Sequence, residues 1–298
     1  MNVAEAERIL EASPDHRLLR RIPPAAHWRL KSAGGADLRR AVFVDVETTG
    51  LNHESDEVIE IALLPFDYIR DSGEIVRIRE EAALESFRQP SFPIPPASTL
   101  VHGISDADVA GCVVDEARLA SIVEEAQLII AHNAQFDRPM VEKHWPIFAK
   151  KHWACSLADI DWRAEALTSG KLDYLLMRQG WFYDGHRALG DAAAGVFLLN
   201  QSLPVTARPA LAALLENARR PLKAVRAEET AFEQRAALKA RGYRWDAGDA
   251  RRAKAWWILT EDADAEILWL NSEIYREPRA IRVLNMPATR RYSARLWT

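Results

Sequence analysis

The apolar positions of this chain fall into short runs separated by polar turns, and the spacing inside each run predicts an element. Ala41–Val44 (AVFV) is a continuous β-branched and aromatic run, which suits a strand buried on both faces. Glu57–Phe66 (EVIEIALLPF) predicts a second strand, and Ile75–Phe87 a third, with a hairpin turn at Ser72–Gly73. Three successive strands with short links form an antiparallel meander. After the proline-rich loop Pro90–Pro96, Ser105 is placed to cap a short helix with acids in its first turn. Asp115–Ala126 then reads as a helix, Leu128–Ala131 (LIIA) as a short buried strand, about Phe136 to Trp145 as a helix, and Trp153–Leu157 as a fifth strand. Further helices are expected over Lys171–Gln179, His186–Gln201 and Ala210–Arg219. The second of these is amphipathic through Leu189, Ala192, Ala193, Val196, Phe197 and Leu199. A meander followed by strands that alternate with helices predicts an α/β fold, with a mixed five-stranded sheet flanked by helices.

The pattern changes near Arg219–Pro221. Beyond it, residues 222–226 read as a strand, 228–241 as a helix ended by Gly242, and 243–246 with 254–259 as a hairpin around Gly248. A helix over 261–275 and a last strand over 280–285 follow. That β-α-β-β-α-β order suits a small ferredoxin-like α+β module. The expected organisation is an N-terminal extension over 1–40, a main domain over 41–219 and a C-terminal module over 220–298. The extension carries a short helix at 3–11 and irregular chain around Pro23, Pro24 and Gly34–Gly35, and the segment from Pro287 onward is expected to fray.

Charge adds one feature. The net charge of −4 does not by itself point to nucleic acid. Residues 221–298, however, carry 15 Lys+Arg against 11 Asp+Glu, whereas residues 1–220 carry 24 against 32. An acidic catalytic part followed by a mildly basic module is one reading, and chance variation of charge along the chain is the other. In that module Lys239, Arg241, Arg244, Arg251, Arg252 and Lys254 are interleaved with Tyr243, Trp245, Trp256 and Trp257. Aromatic faces with nearby cations can hold unpaired bases and phosphates. Equally, the aromatics can be the core of a small two-layer unit and the cations its solvated face. No apolar run is long enough to span a bilayer, so no membrane partner is expected. The acidic start MNVAEAERIL lacks the basic patch and apolar stretch of a signal peptide, and Cys112 and Cys155 have no metal-type spacing. Free thiols in a reducing compartment, with a cytoplasmic location, are the expectation.

The candidate chemistry begins where the first strand ends. Asp45 and Glu47 lie two positions apart and so project from one face. Two such carboxylates repel unless something positive lies between them, and a hard divalent cation is the usual solution. Thr48, Thr49 and Gly50 then turn the chain where a backbone can approach a ligand closely. Asp137 stands at the start of a helix that follows a buried strand. His186 and Asp191 are five positions apart, which puts His186 on the loop before a helix and Asp191 inside it. A loop suits a base that must reach a water molecule, and a helix suits a ligand that must stay still.

Taken in order, FVDVETTG, HNAQFD and the H-x-x-x-x-D of residues 186–191 resemble the three motifs of the DEDD exonuclease superfamily. The position four residues before the last aspartate is Arg187 rather than tyrosine, so the resemblance is to the histidine branch (DEDDh). Within it, the chain looks most like the proofreading epsilon subunits of bacterial DNA polymerase III, through residues 41–202. The resemblance implies an RNase H-like fold and a metal-dependent 3′–5′ exonuclease that releases nucleoside 5′-monophosphates from DNA 3′ ends. It implies two divalent ions, Mg²⁺ or Mn²⁺, which hard oxygen ligands favour. In the family scheme Asp45 lies between both ions, Glu47 and Asp191 hold the nucleophile-side one, and Asp137 helps hold the other. His186 takes the proton from the attacking water, a role suited to the side chain that titrates near neutrality. Thr48, Thr49, Gly50, His102 (in LVHGI), Asn133 and Phe136 are expected on the substrate side. A single-stranded DNA 3′ end is the expected partner. Two alternatives stay open. The same chemistry could act on RNA or short oligoribonucleotides, because the five catalytic positions do not read the 2′-OH. Or the chain could act chiefly as a subunit or adaptor of a replication or repair assembly, alongside a DNA polymerase or repair protein.

Overall fold

The computed structural model describes residues 2–248 and 252–297. The chain divides into two compact units, Met1–Ala218 together with Ala288–Thr298, and Arg219–Pro287. Among the described residues no helix is long and apolar enough to cross a membrane.

The first unit is built on strands β1 (Leu38–Thr48), β2 (Val58–Ile69), β3 (Ile75–Ile78), β4 (Leu84–Phe87), β5 (Leu128–Ala131) and β6 (Trp153–Cys155). They form one sheet in the order β3-β2-β1-β5-β6, with β4 also paired to β2. β1 runs antiparallel to β2 and parallel to β5, so the sheet is mixed as expected. The expected third strand is cut in two by a 3₁₀ turn at Glu80–Ala82, which makes six segments of the expected five. The polar stretch Arg79–Glu81 lacks the alternation that would keep it in the sheet, while both flanking pieces pair with β2.

β1 sorts its side chains strictly. Ala41 and Phe43 pack with the helices Leu172–Arg178, Ala188–Leu199 and Ala210–Arg219. Val42, Val44 and Val46 pack on the other side, with the helices Glu116–Glu125 and Ala134–His144. The period-2 alternation therefore decides which helix the acids at the end of β1 will meet.

Both ends of the chain belong to this unit. In the N-terminal extension, Arg20–Arg21 pairs in parallel with Trp181–Phe182, and buried Trp28 packs edge-on against Phe197 at 5.1 Å. At the other end the expectation of a frayed tail is corrected. Arg138, wholly buried, donates hydrogen bonds to the carbonyls of Thr289 (2.6 Å) and Arg291. Arg291 pairs with buried Asp159, which also accepts from the Tyr292 hydroxyl at 2.7 Å. Ser293 and Arg295 bond Glu142 at 2.8 and 3.1 Å. The reason is electrostatic: a buried guanidinium must find acceptors, and the tail's carbonyls supply them. Burial still lowers Arg138 to about 10. The C-terminal module accordingly ends at Pro287, not at residue 298.

The second unit holds β7 (Leu222–Glu228), β8 (Arg244–Asp246), β9 (Ala255–Thr260) and β10 (Arg282–Met286), antiparallel in the order β8-β9-β7-β10. With the helices Arg235–Ala240 and Ala263–Trp269 this is the β-α-β-β-α-β arrangement of a ferredoxin-like module. The first helix is entered through a 3₁₀ turn, Phe232–Gln234, and the second changes to a π-helix over Leu270–Tyr275. Tyr243 and Trp256 lie in the core with Val225, Ala227, Leu238 and Leu270, whereas Trp245 is 51% exposed. The expected turn after Gly248, and Arg251 with it, lie outside the described residues.

Ending the chain at Pro287 would leave Arg138 without its tail carbonyls and Asp159 without Arg291. The expected cost is about 3–5 kcal/mol, the range for breaking a buried charge pair, read as a lower thermal midpoint. A truncated protein as stable as the full chain would show that the tail is not part of the fold.

Candidate active site

Asp45 and Glu47 continue the face of β1 that carries Ala41 and Phe43, so they point toward the helix Ala188–Leu199. That helix carries Asp191 in its first turn. It lies close to the strand because Gly195, one turn after Asp191, packs on Phe43, one strand repeat before Asp45. A Cβ at Gly195 would sit 2.2 Å from the Phe43 ring. The approach places ligand oxygens of Asp45, Glu47 and Asp191 within 4.8 Å of one another, each side chain partly buried. Asp137 comes from the helix on the opposite face and is buried, 3% exposed.

Asp191 also organises the chain before its helix. Its Oδ2 accepts the backbone N–H groups of His186 (2.8 Å) and Arg187 (3.1 Å), and its Oδ1 accepts the Tyr183 hydroxyl at 2.6 Å. These bonds hold His186 in the left-handed region, φ 68°, with its ring exposed on the loop. A non-glycine residue there costs on the order of 1 kcal/mol, which the surrounding bonds offset.

Glu60 was not among the expected site residues. It lies directly across from Glu47 on β2 and is completely buried. Like charges directly opposite are unfavourable. Arg187 resolves the conflict, with Nη2 2.8 Å and Nε 3.2 Å from Glu60 Oε1, while the Ala188 N–H donates to Oε2 at 3.1 Å. The same ion pair ties the start of the Asp191 helix to the sheet.

The site strongly disfavours full ionisation. Burial, then the charges of Asp137, Asp191 and Glu47, hold the Asp45 carboxyl well above the usual range. Asp137 is raised in the same way, first by burial and then by Glu47 and Asp191, against the pull of nearby backbone N–H groups. Glu47 is pushed up to about 7 by burial, Asp191 and Glu60, with Arg187 opposing. Three hard oxygen donors within reach of one another, short of positive charge, fit a divalent cation, and the set contains no thiolate or imidazole that would favour a softer metal.

Each residue expected on the substrate side has its own local partners. Thr48 donates to the Gly50 carbonyl (2.7 Å), and Thr49 accepts the Glu57 N–H (2.9 Å). Gly50 has no room for a side chain, because a Cβ would lie 2.5 Å from the Asp56 carboxylate. His102 is buried, its Nδ1 accepting the Ile104 N–H at 3.0 Å and its Nε2 without a protein partner. Asn133 starts the Asp137 helix in the left-handed region, φ 75°, a conformation asparagine tolerates. Phe136 is half-buried against His53, ring centroids 5.7 Å apart.

Sequence reasoning missed Glu60, Arg187, Tyr183 and Gly195. Glu60 had a signal, a lone acid inside an apolar strand run. Tyr183 and Gly195 had none, since neither contact follows from strand or helix period: Tyr183 meets Asp191 across a loop, and Gly195 meets Phe43 from far along the chain.

Residues 42–199 match the family model described as Exonuclease (RNase_T). A DNA polymerase III subunit epsilon-like protein of Rhodobacter capsulatus is 36% identical over 100 residues, which is 32% of this chain and 13% of that protein. The DNA polymerase III subunit epsilon of Treponema pallidum is 28% identical over 161 residues, 50% of this chain and 69% of that one. The match to the Rhodobacter protein thus covers a small part of its length. Among solved structures, an exonuclease I is similar in fold, with a TM-score of 0.50 at 16% identity over 84% of this chain and 63% of that one.

A pH dependence follows from Glu47. Its folded value, about 7, lies above the ordinary 4.5, so its contribution to stability is full below pH 4.5 and is lost as pH rises to about 7. In chelator, Glu47→Gln should therefore gain stability relative to the parent across that window, by on the order of 2 kcal/mol. Thermal denaturation of both proteins from pH 4.5 to 8 measures it, and a pH-independent difference would refute the assigned strain.

Proposed function

This chain belongs to the exonuclease family, and on that premise we propose that it is a metal-dependent 3′–5′ exonuclease that removes nucleoside 5′-monophosphates from DNA 3′ ends. The observation that carries the reading is the convergence of Asp45, Glu47 and Asp191 within 4.8 Å, with Asp137 buried beside them. The names of the two relatives, both tied to DNA polymerase III, support DNA over RNA and a polymerase as a partner. The free cysteines support a cytoplasmic location.

In this reading Asp45, Glu47, Asp191 and Asp137 hold two divalent cations, Mg²⁺ or Mn²⁺. Bound, these supply Lewis-acid polarisation of the scissile phosphate and offset its charge. The protein's own part is positional. The carboxylates are fixed by a strand and two helices, so they need not reorganise during the reaction. His186 stands on a loop, exposed, where its ring can take a proton from the attacking water. Thr48, Thr49, Gly50, His102, Asn133 and Phe136 line the approach for the terminal nucleotide.

The second unit supports a role in holding the single strand. Phe232 and Trp245 are 69% and 51% exposed. Arg235 lies 4.1 Å over the Phe232 ring, Lys239 lies 6.0 Å from Trp256, and Trp256 is 5.4 Å from Trp245. Among the described residues neither Arg235 nor Lys239 has an acidic partner, which leaves both cations for phosphates. Most of the remaining aromatics serve the core of the module.

Two measurements test the proposal. An end-labelled oligodeoxynucleotide should be shortened from its 3′ end with Mg²⁺ or Mn²⁺ and left intact with chelator, with matched RNA degraded more slowly. Asp45→Ala and His186→Ala should each lose at least about 100-fold in turnover while remaining folded. Undiminished mononucleotide release by either variant would refute the mechanism. For the second unit, the full-length Arg235→Ala/Lys239→Ala protein should bind a single-stranded oligonucleotide with a log–log salt slope smaller by about 1.4. An unchanged slope would leave this surface without nucleic acid.

A further inference from the structure

The N-terminal extension is linked to the site through Tyr183, a side chain of the segment it pairs with. Arg20 and Arg21 form a parallel strand pair with Trp181 and Phe182, closed by the Arg20 N–H to Gly180 carbonyl bond (2.8 Å) and the Ile22 N–H to Phe182 carbonyl bond (2.9 Å). Arg21 also stands 4.8 Å over the Phe182 ring and pairs with Asp184 at 2.8 Å. Between these anchored neighbours, Tyr183 turns inward and its hydroxyl donates to Asp191 Oδ1 at 2.6 Å. Asp191 Oδ2 already accepts two backbone N–H groups, so Oδ1 is the oxygen with a lone pair to spare.

We propose that Tyr183 is a positioning residue for the metal site: anchored by the N-terminal extension, its hydroxyl fixes the Asp191 carboxylate so that Oδ1 is presented toward Asp45 and Glu47. The inference rests on the reading of Asp191 as a metal ligand. Carboxylate ligands are themselves oriented by hydrogen bonds, and loss of such a bond typically weakens metal affinity 10- to 100-fold. Tyr183 forms no bond to the cation in this scheme and takes no proton. Its effect is on the rotational freedom of one carboxylate. The residue lies outside the three motifs, and its partner strand comes from a segment that the family match, beginning at residue 42, does not include.

The test is Tyr183→Phe in the full chain, which removes the hydroxyl and keeps the ring. Mn²⁺ binding to the protein without DNA, measured by calorimetry, should weaken about 10-fold, with the circular dichroism spectrum unchanged. The Mn²⁺ concentration for half-maximal hydrolysis should rise to match, kcat should recover at saturating Mn²⁺, and KM for the oligonucleotide should stay as in the parent. A role confined to packing would lower the thermal midpoint and leave the Mn²⁺ titration where it was. That result would overturn the proposal. Should the parent bind Mn²⁺ yet release no mononucleotides, the nuclease reading would fall while the calorimetric comparison still decided the role of Tyr183.

Discussion

Charge repulsion at the end of β1 governs the architecture of the first unit. Asp45 and Glu47 share a face, Glu60 stands directly across from Glu47, and Asp137 and Asp191 arrive from opposite sides of the sheet. Packed this densely in a poorly solvated place, the acids raise one another's proton affinity instead of ionising freely. Apolar packing elsewhere in the sheet must carry that cost. The strand responsible is buried over Ala41–Val44, and its Phe43 holds the Asp191 helix close through Gly195. Stability is spent on a cluster that a bound cation relieves, which is how strain at a functional site is usually distributed.

Within the cluster the charges are not equivalent. Glu60 has its own cation, Arg187, and its own backbone donor, so it is neutralised by the protein itself. Asp191 accepts three protein donors, two of which shape the loop that bears His186. Asp45 has no ion pair among the described residues. The division separates acids committed to holding the fold from acids left for an external positive charge, and Asp191 serves in both.

The two helices that supply the later acids are each braced by a chain terminus. The N-terminal extension pairs with the strand just before the Asp191 helix. The C-terminal tail, returning after the second unit, wraps the charged side of the Asp137 helix through Arg138 and Glu142. The extension looked irregular and the tail frayed because both lack hydrophobic periodicity. The extension is ordered by strand pairing with Trp181–Phe182 and by burial of Trp28, the tail by hydrogen bonds to the buried charges Arg138 and Asp159, and the local sequence displays none of these distant partners.

What could be read from the chain alone was whatever depends on local period and on residue type at short spacing. The β1 run, the projection of Asp45 and Glu47 from one face, the loop position of His186 and the β-α-β-β-α-β order of the second unit are of this kind. Each follows from how side chains alternate on strands and recur on helices, a property of neighbours. Tertiary structure decided the rest. Which acid meets which depends on sheet order and on the close approach that Gly195 allows. The match of Glu60 with Arg187, of Tyr183 with Asp191 and of Arg138 with the tail joins residues more than a hundred positions apart in two of the three cases. Such pairs are selected by the packed sheet and not by the local chain, because a buried charge accepts whichever partner the fold brings within hydrogen-bond distance.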